Sequence, residues 1–130
     1  MNKRTFLKTL ASLPVLLVNP YISRSDAKTR SITMLKTLVA GFQYYQGKSI
    51  RRSLKTGQEL KLKREPRNPY DEKAIEIYWK TKKLGYIPRV DNEVVTNLMI
   101  QGKDIRAFIL NKNESDDPWE RIGVRLDLLC

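Results

Sequence analysis

The sequence predicts a mainly β fold: a small closed or nearly closed barrel of five to six strands, with one or two short helices. Three observations carry this. Short apolar runs with two-residue alternation recur between Pro- and Gly-containing turns. Only one stretch has helical spacing. The chain of 130 residues has room for a single domain with a modest core.

The elements follow in chain order. Residues 1–27 have three parts: a basic start with Lys3, Arg4 and Lys8, a ten-residue apolar run Thr9 to Val18, and a polar stretch ending Ser25-Asp26-Ala27. This is the layout of a secretory signal peptide, and the run is too short to span a bilayer. Asn2 to Lys8 also resembles the bacterial twin-arginine export motif, with Lys3 in place of the first arginine, so twin-arginine and general secretory (Sec) routes both remain open. The expectation is an exported protein, periplasmic or extracellular, with no stable membrane anchor after processing. Residues 28–33 read as a polar linker, and the domain proper as 34–130.

Met34 to Tyr45 is rich in apolar and aromatic residues and predicts the first strand, with Gly41 as a bulge or close-approach point. Gly47 to Gly57 is basic and irregular. Gln58 to Glu65 alternates, Leu60 and Leu62 against Lys61 and Lys63, the pattern of a half-buried antiparallel strand. Pro66 to Asp71 is a turn by chemistry. Ile75, Ile77 and Trp79 then alternate with Glu76, Tyr78 and Lys80, and Thr81-Lys82-Lys83 predicts a hairpin tip before Leu84 to Ile87. After Pro88, Asp91 or Asn92 is placed to cap a helix, with Glu93 complementing its positive end. Val94 with Leu98 and Val95 with Met99 are expected on its buried face, and Gly102 ends it. Ile105 to Leu110 and Ile122 to Leu128 predict the last strands, around an acidic Asn111-to-Pro118 loop.

Composition narrows function. Lys and Arg total 25 against 14 Asp and Glu, a formal net charge of +11. Most of that surplus lies after residue 27. It fits a polyanionic partner such as nucleic acid, and it also fits a charge kept for solubility. With no His and a single Cys, Cys130, the chain has neither the commonest general base nor the ligands for a tetrahedral zinc site. No cofactor is expected. Glu65, Asp71 and Glu72 are the candidate carboxylates for a metal-dependent nuclease, but the adjacent Asp71 and Glu72 would point apart on an extended chain. A non-enzymatic, monomeric binding module is the expectation.

Three blocks in order resemble one family. Arg64-Glu65-Pro66-Arg67-Asn68-Pro69-Tyr70-Asp71-Glu72-Lys73-Ala74-Ile75 and Leu84-Gly85-Tyr86-Ile87-Pro88-Arg89 are similar to consecutive signatures of HIRAN domains. Gly41 to Gly47, with Tyr44-Tyr45 inside, fits as well. The resemblance covers roughly Val39 to Phe108, and it implies an OB-like β-barrel. In certain DNA-remodelling ATPases the module captures the 3′ end of single-stranded DNA, and free-standing exported copies occur in bacteria. No Gly-x-x-x-x-Gly-Lys-Ser/Thr phosphate loop is present, so ATPase activity does not transfer.

The resemblance implies roles residue by residue. Tyr44 and Tyr45 fall on the aromatic pair that stacks on terminal bases, an interaction that tolerates any base. Tyr70 falls on the residue that contacts the strand end. Asn68 and Asp71 fall on the loop that reads the terminus, with Asp71 accepting from the terminal hydroxyl; Asp71 also fits an Asx turn that caps backbone amides. DNA-end-binding relatives often carry a basic residue just before the aromatic pair, where this chain has Gln43. Lys48, Arg51, Arg52, Lys61, Lys63, Arg64 and Arg67 are the candidate phosphate contacts, although a charge run of this kind also suits a solvated face. The expected ligand is a single-stranded DNA end. Another envelope polyanion or a protein partner is the rival.

Overall fold

The computed structural model describes residues 30–112 and 122–130. The export-signal reading of residues 1–27, and most of the acidic loop, lie outside the described residues.

Six antiparallel strands form one sheet: β1 (Ser31–Leu38), β2 (Glu59–Arg64), β3 (Ile75–Trp79), β4 (Lys82–Tyr86), β5 (Ile105–Lys112) and β6 (Ile122–Leu129). Their order across the sheet is β1-β6-β5-β2-β3-β4. Among the described residues, two short α-helices, α1 (Gly47–Ile50) and α2 (Asn92–Ile100), and 3₁₀ turns at Phe42–Tyr44 and Arg51–Ser53 complete the regular structure. The mainly β, OB-like architecture is therefore as expected, and the ladder itself does not close.

What draws its two edges together is one bridge just past β1. The Ala40 N–H donates to the Tyr86 carbonyl at 2.8 Å, and the Tyr86 N–H donates to the Ala40 carbonyl at 2.9 Å. The approach depends on Gly85. Its φ is +151°, and a Cβ there would overlap the Ala40 carbonyl oxygen and lie 2.7 Å from Val39 Cγ1.

The core gathers side chains from the sheet, the first 3₁₀ turn and α2. Leu54, Ile75, Ile77, Leu84, Val124 and Leu126 are fully buried, with Phe42 from the 3₁₀ turn and Val95 from α2 among them. Each such side chain contributes roughly 1.5–3 kcal/mol by leaving water. Period-two alternation explains the sorting on β2, where Leu60 and Leu62 turn inward and Lys61 and Lys63 stay exposed.

Three expectations are corrected. The first strand begins at Ser31, inside the stretch read as linker, and ends at Leu38. Gly41 then takes a left-handed φ of +74° and starts the 3₁₀ turn, so Phe42-Gln43-Tyr44 folds back instead of running on as strand. On α2, Val95 is buried but Val94 is 62% exposed. The buried face carries Asn92 and Thr96 instead, each tied to the turn between β2 and β3 through Asp71 and Lys73. The hairpin tip is Lys80-Thr81, because Lys82 already pairs with Trp79 in β4. Gly102 does end α2, with φ +83° and the Lys103 N–H donating back to the Leu98 carbonyl.

Candidate nucleic-acid interface

The turn from Glu65 to Ala74 is built by its own side chains. Asn68 Oδ1 accepts from the backbone N–H groups of Tyr70 (2.8 Å) and Asp71 (3.1 Å), which bends the chain around Pro69. Asn68 Nδ2 donates to Glu65 Oε1 at 2.5 Å. Asp71 Oδ1 accepts from the Lys73 N–H at 3.0 Å, so the Asx-type capping role is present. Tyr70 is left 86% exposed at the tip.

Asp71 Oδ2 faces the start of α2. It accepts from Asn92 Nδ2 at 2.8 Å and lies 3.6 Å from Arg89 Nε. Asn92 is 2% exposed, so it fixes this carboxylate from beneath. Hydrogen bonds from Asn92 and the Lys73 N–H, aided by Arg89, hold the Asp71 carboxyl below the usual carboxylate range against a smaller opposing effect of burial. Asp71 is thus an anion at neutral pH. Arg89 Nη2 also donates to the Tyr70 carbonyl.

Across from this loop stands Tyr45, which takes up extended backbone just after the 3₁₀ turn. Its ring meets Tyr86 edge-to-face, with centroids 5.8 Å apart and planes at 75°. Between the two walls lies an open cavity of about 470 Å³, lined by Tyr45, Asn68, Tyr70, Asp71, Tyr86, Arg89 and Asn92, with Ala40, Pro69, Ala74 and Ile87 as its apolar lining.

Four of the residues singled out in the sequence therefore converge: Tyr45, Asn68, Tyr70 and Asp71. Tyr44 does not line the cavity and is 76% exposed at the end of the 3₁₀ turn. None of the candidate phosphate contacts lines the cavity. Lys48 lies on α1, Arg51 and Arg52 on the following 3₁₀ turn, Lys61 and Lys63 on the outer face of β2, and Arg67 in the turn. Arg64 is half-buried on the opposite side of β2 from Lys61 and Lys63, and its Nε has no hydrogen-bond partner among the described residues. The nuclease set is dispersed: Glu65 bonds Tyr86 and Asn68, while Asp71 bonds Asn92. Among the described residues no three His, Cys, Asp or Glu side chains are grouped to hold a metal ion.

Arg89, Asn92 and Tyr86 were not picked out from the sequence. Arg89 and Tyr86 belong to the Leu-Gly-Tyr-Ile-Pro-Arg block, where their motif membership was the available signal. Arg89 also places a guanidinium at the cavity of a chain that has Gln43 before its aromatic pair.

Comparison with known proteins agrees with this arrangement. A crystal structure of a protein from Lactobacillus plantarum superposes with a TM-score of 0.67 at 26% identity, covering 77% of this chain and 96% of that one. The HIRAN domain of human HLTF superposes with a TM-score of 0.59 at 18% identity, covering 75% and 78% respectively, which is a likeness of fold. No curated protein matches the chain. The HIRAN domain model matches residues 32–128, nearly the whole described sheet, so the chain belongs to the HIRAN family of binding domains, a membership that supports a nucleic-acid-binding module.

Proposed function

We propose that the cavity captures the 3′ end of single-stranded DNA without catalytic activity of its own. The observation that carries this reading is an ionised carboxylate fixed between an aromatic wall and a guanidinium: Asp71, opposite Tyr45 and beside Arg89. A terminal base stacks on Tyr45 or Tyr70, which needs flat faces and no particular base. The terminal hydroxyl donates to Asp71, whose oxygens keep acceptor capacity beyond their present bonds. Arg89 is 71% exposed, and turning toward a neighbouring phosphate exchanges only its long contact with Asp71 and its bond to the Tyr70 carbonyl. Lys48, Arg52, Lys61, Lys63 and Arg67 add a sequence-independent attraction along the strand. Residues 1–27 are an export signal in this reading, and a mature N-terminus near Lys28 is the check on it.

The test compares oligonucleotides ending in a 3′ hydroxyl or a 3′ phosphate. Two like charges about 4 Å apart cost on the order of 1 kcal/mol in water and about 4 at the effective dielectric of a partly sheltered site. The phosphorylated strand is therefore expected to bind at least several-fold more weakly, and Asp71→Asn is expected to narrow the gap. Circular single strands that bind as tightly per site as linear ones would make the protein a general polyanion binder and end the 3′-end reading.

A further inference from the structure

The wall behind Tyr45 holds a polar cluster that the proposed function leaves unused. Lys83, on β4, places its Nζ 4.4 Å from the centroid of the Tyr45 ring and 4.2 Å from that of Tyr86, in the corner between two nearly perpendicular rings. The same ammonium donates to Tyr86 Oη at 2.8 Å and pairs with Glu76 Oε2 at 3.1 Å. Glu76 is 6% exposed, although it sits on the alternation expected to face solvent, and it also accepts from Tyr78 Oη. The backbone closes the clasp. Gln46, next to Tyr45, donates its N–H to the Lys83 carbonyl and accepts the Lys83 N–H on its side chain, both at 3.0 Å.

The chain of contacts does not stop at the aromatic wall. The Tyr86 hydroxyl, having accepted from Lys83, donates to Glu65 Oε1 at 3.1 Å. That oxygen also accepts from Asn68, whose own carbonyl oxygen gathers the Tyr70 and Asp71 amides. An unbroken path thus runs from the stacking ring to the terminus-reading loop. One ammonium serves two carboxylates along it, Glu76 directly and Glu65 through the Tyr86 hydroxyl. Burial pushes the Lys83 ammonium toward neutrality, but the hydrogen bonds to Tyr86 and Glu76 outweigh it, so Lys83 stays charged across the physiological range.

We infer that Lys83 is a positioning residue that holds both halves of the site in register, gripping Tyr45 by one face and setting the Asn68–Asp71 loop through Tyr86 and Glu65. With an ammonium against that face, Tyr45 offers only its other face to a base, which fits the capture of one terminal base and excludes threading of a stack through both sides. The inference deepens the proposed function and rests on it for its ligand.

Its test has an arm without DNA. In NMR spectra, Lys83→Met is expected to shift the side-chain amide of Asn68 and the backbone amide of Asp71, whereas Lys36→Met on β1 leaves them in place. Unmoved Asn68 and Asp71 signals would overturn the inference. Lys83→Met leaves the buried Glu76 without a counter-ion, so Glu76→Gln/Lys83→Met removes that stranded charge if the single variant fails to fold. Tyr86→Phe, which removes only the relaying hydroxyl, must move Asn68 as well. In the second arm, 5′-fluorescein-labelled decathymidylate is titrated by anisotropy. Lys83→Met is expected to weaken binding roughly ten-fold, with an unchanged salt slope, and to add little in a Tyr45→Ala background. A slope reduced by about 0.7, with the loss undiminished beside Tyr45→Ala, would make Lys83 a direct phosphate contact and overturn the positioning role. Wild-type protein that ignores the decathymidylate would instead sink the proposed function and leave the NMR arm to judge Lys83.

Discussion

Adding one methyl group at Gly85 is expected to unfasten the seam between Ala40 and Tyr86. Two costs combine there. An L side chain at φ +151° is strained by roughly 1–3 kcal/mol. The new Cβ also collides with the Ala40 carbonyl and Val39 Cγ1, and overpacking of this kind costs about 1–3 kcal/mol more, because backbone is what must move. The sum, about 2–6 kcal/mol, is a large share of the 5–15 kcal/mol that holds an ordinary domain together. At roughly 4–8 °C per kcal/mol for a domain near this size, Gly85→Ala should lower the melting temperature by about 10 °C or more. Gly102→Ala is the comparison. It has a positive φ of +83° but open space around the would-be Cβ, so only the backbone contribution of about 1–2 kcal/mol applies. Thermal melts followed by far-UV circular dichroism separate the two. Should Gly85→Ala melt within two or three degrees of Gly102→Ala, the close approach of Gly85 to Ala40 is not what the seam depends on.

Other consequences are as direct. Tyr70 is 86% exposed, so Tyr70→Ala should leave the melting temperature nearly unchanged while weakening single-stranded DNA binding by roughly 1–3 kcal/mol; undiminished affinity removes Tyr70 from the site. The Glu76 carboxyl lies below its ordinary 4.5, because the Tyr78 hydrogen bond and Lys83 together outweigh the upward push of burial, and Asp71 lies below its ordinary 3.8. For groups depressed on folding, the stability is fully present above the unfolded value and is lost as pH falls through the folded one. Melting temperature should accordingly hold from pH 7 to about 5 and drop below about 4, and a flat profile to pH 3 contradicts the network. Asn92→Ala, which strips the buried donor from Asp71, is expected to cost about 1–3 kcal/mol in stability and to shrink the discrimination between 3′ hydroxyl and 3′ phosphate; unchanged discrimination shows that the Lys73 N–H and Arg89 suffice to orient the carboxylate.

Much of the fold was legible because period-two patterning is a local property. Leu60 and Leu62 against Lys61 and Lys63, or Ile75 and Ile77 in β3, state their faces without reference to any partner strand. The aromatic run Phe42 to Tyr45 misled, since composition favours strand there and the deciding fact is the left-handed φ at Gly41. Val94 and Asn92 exchanged their expected places for a tertiary reason. Burying Asn92 is repaid by its bond to Asp71, a residue in a different element, and helical periodicity carries no sign of that. The cavity itself was half visible. Tyr45, Asn68, Tyr70 and Asp71 belong to motif blocks, whereas the cluster of Lys83, Glu76 and Glu65 forms only when the β2–β3–β4 register sets Lys63 opposite Glu76 and Glu76 opposite Tyr86. In the sequence, Glu76 reads as one more solvent-facing charge.

The pairing of β1 with β6 bears on how the domain comes into being. Ser31 lies opposite Leu129 and Leu38 opposite Gly123, so the first strand must wait for the last before it has any neighbour in the sheet. Local hairpins such as β3–β4 form at once, but β1 is joined only after the stretch of about 84 residues between Leu38 and Gly123 has been closed into a loop. High contact order of this kind slows folding by orders of magnitude relative to helical domains of equal size. On the ribosome, a nascent chain released before Ile122 would hold a finished β3–β4 hairpin and an orphaned first strand. Loss of β6 is therefore a failure of assembly for the whole barrel, whereas an interruption between β5 and β6 leaves every strand partner intact.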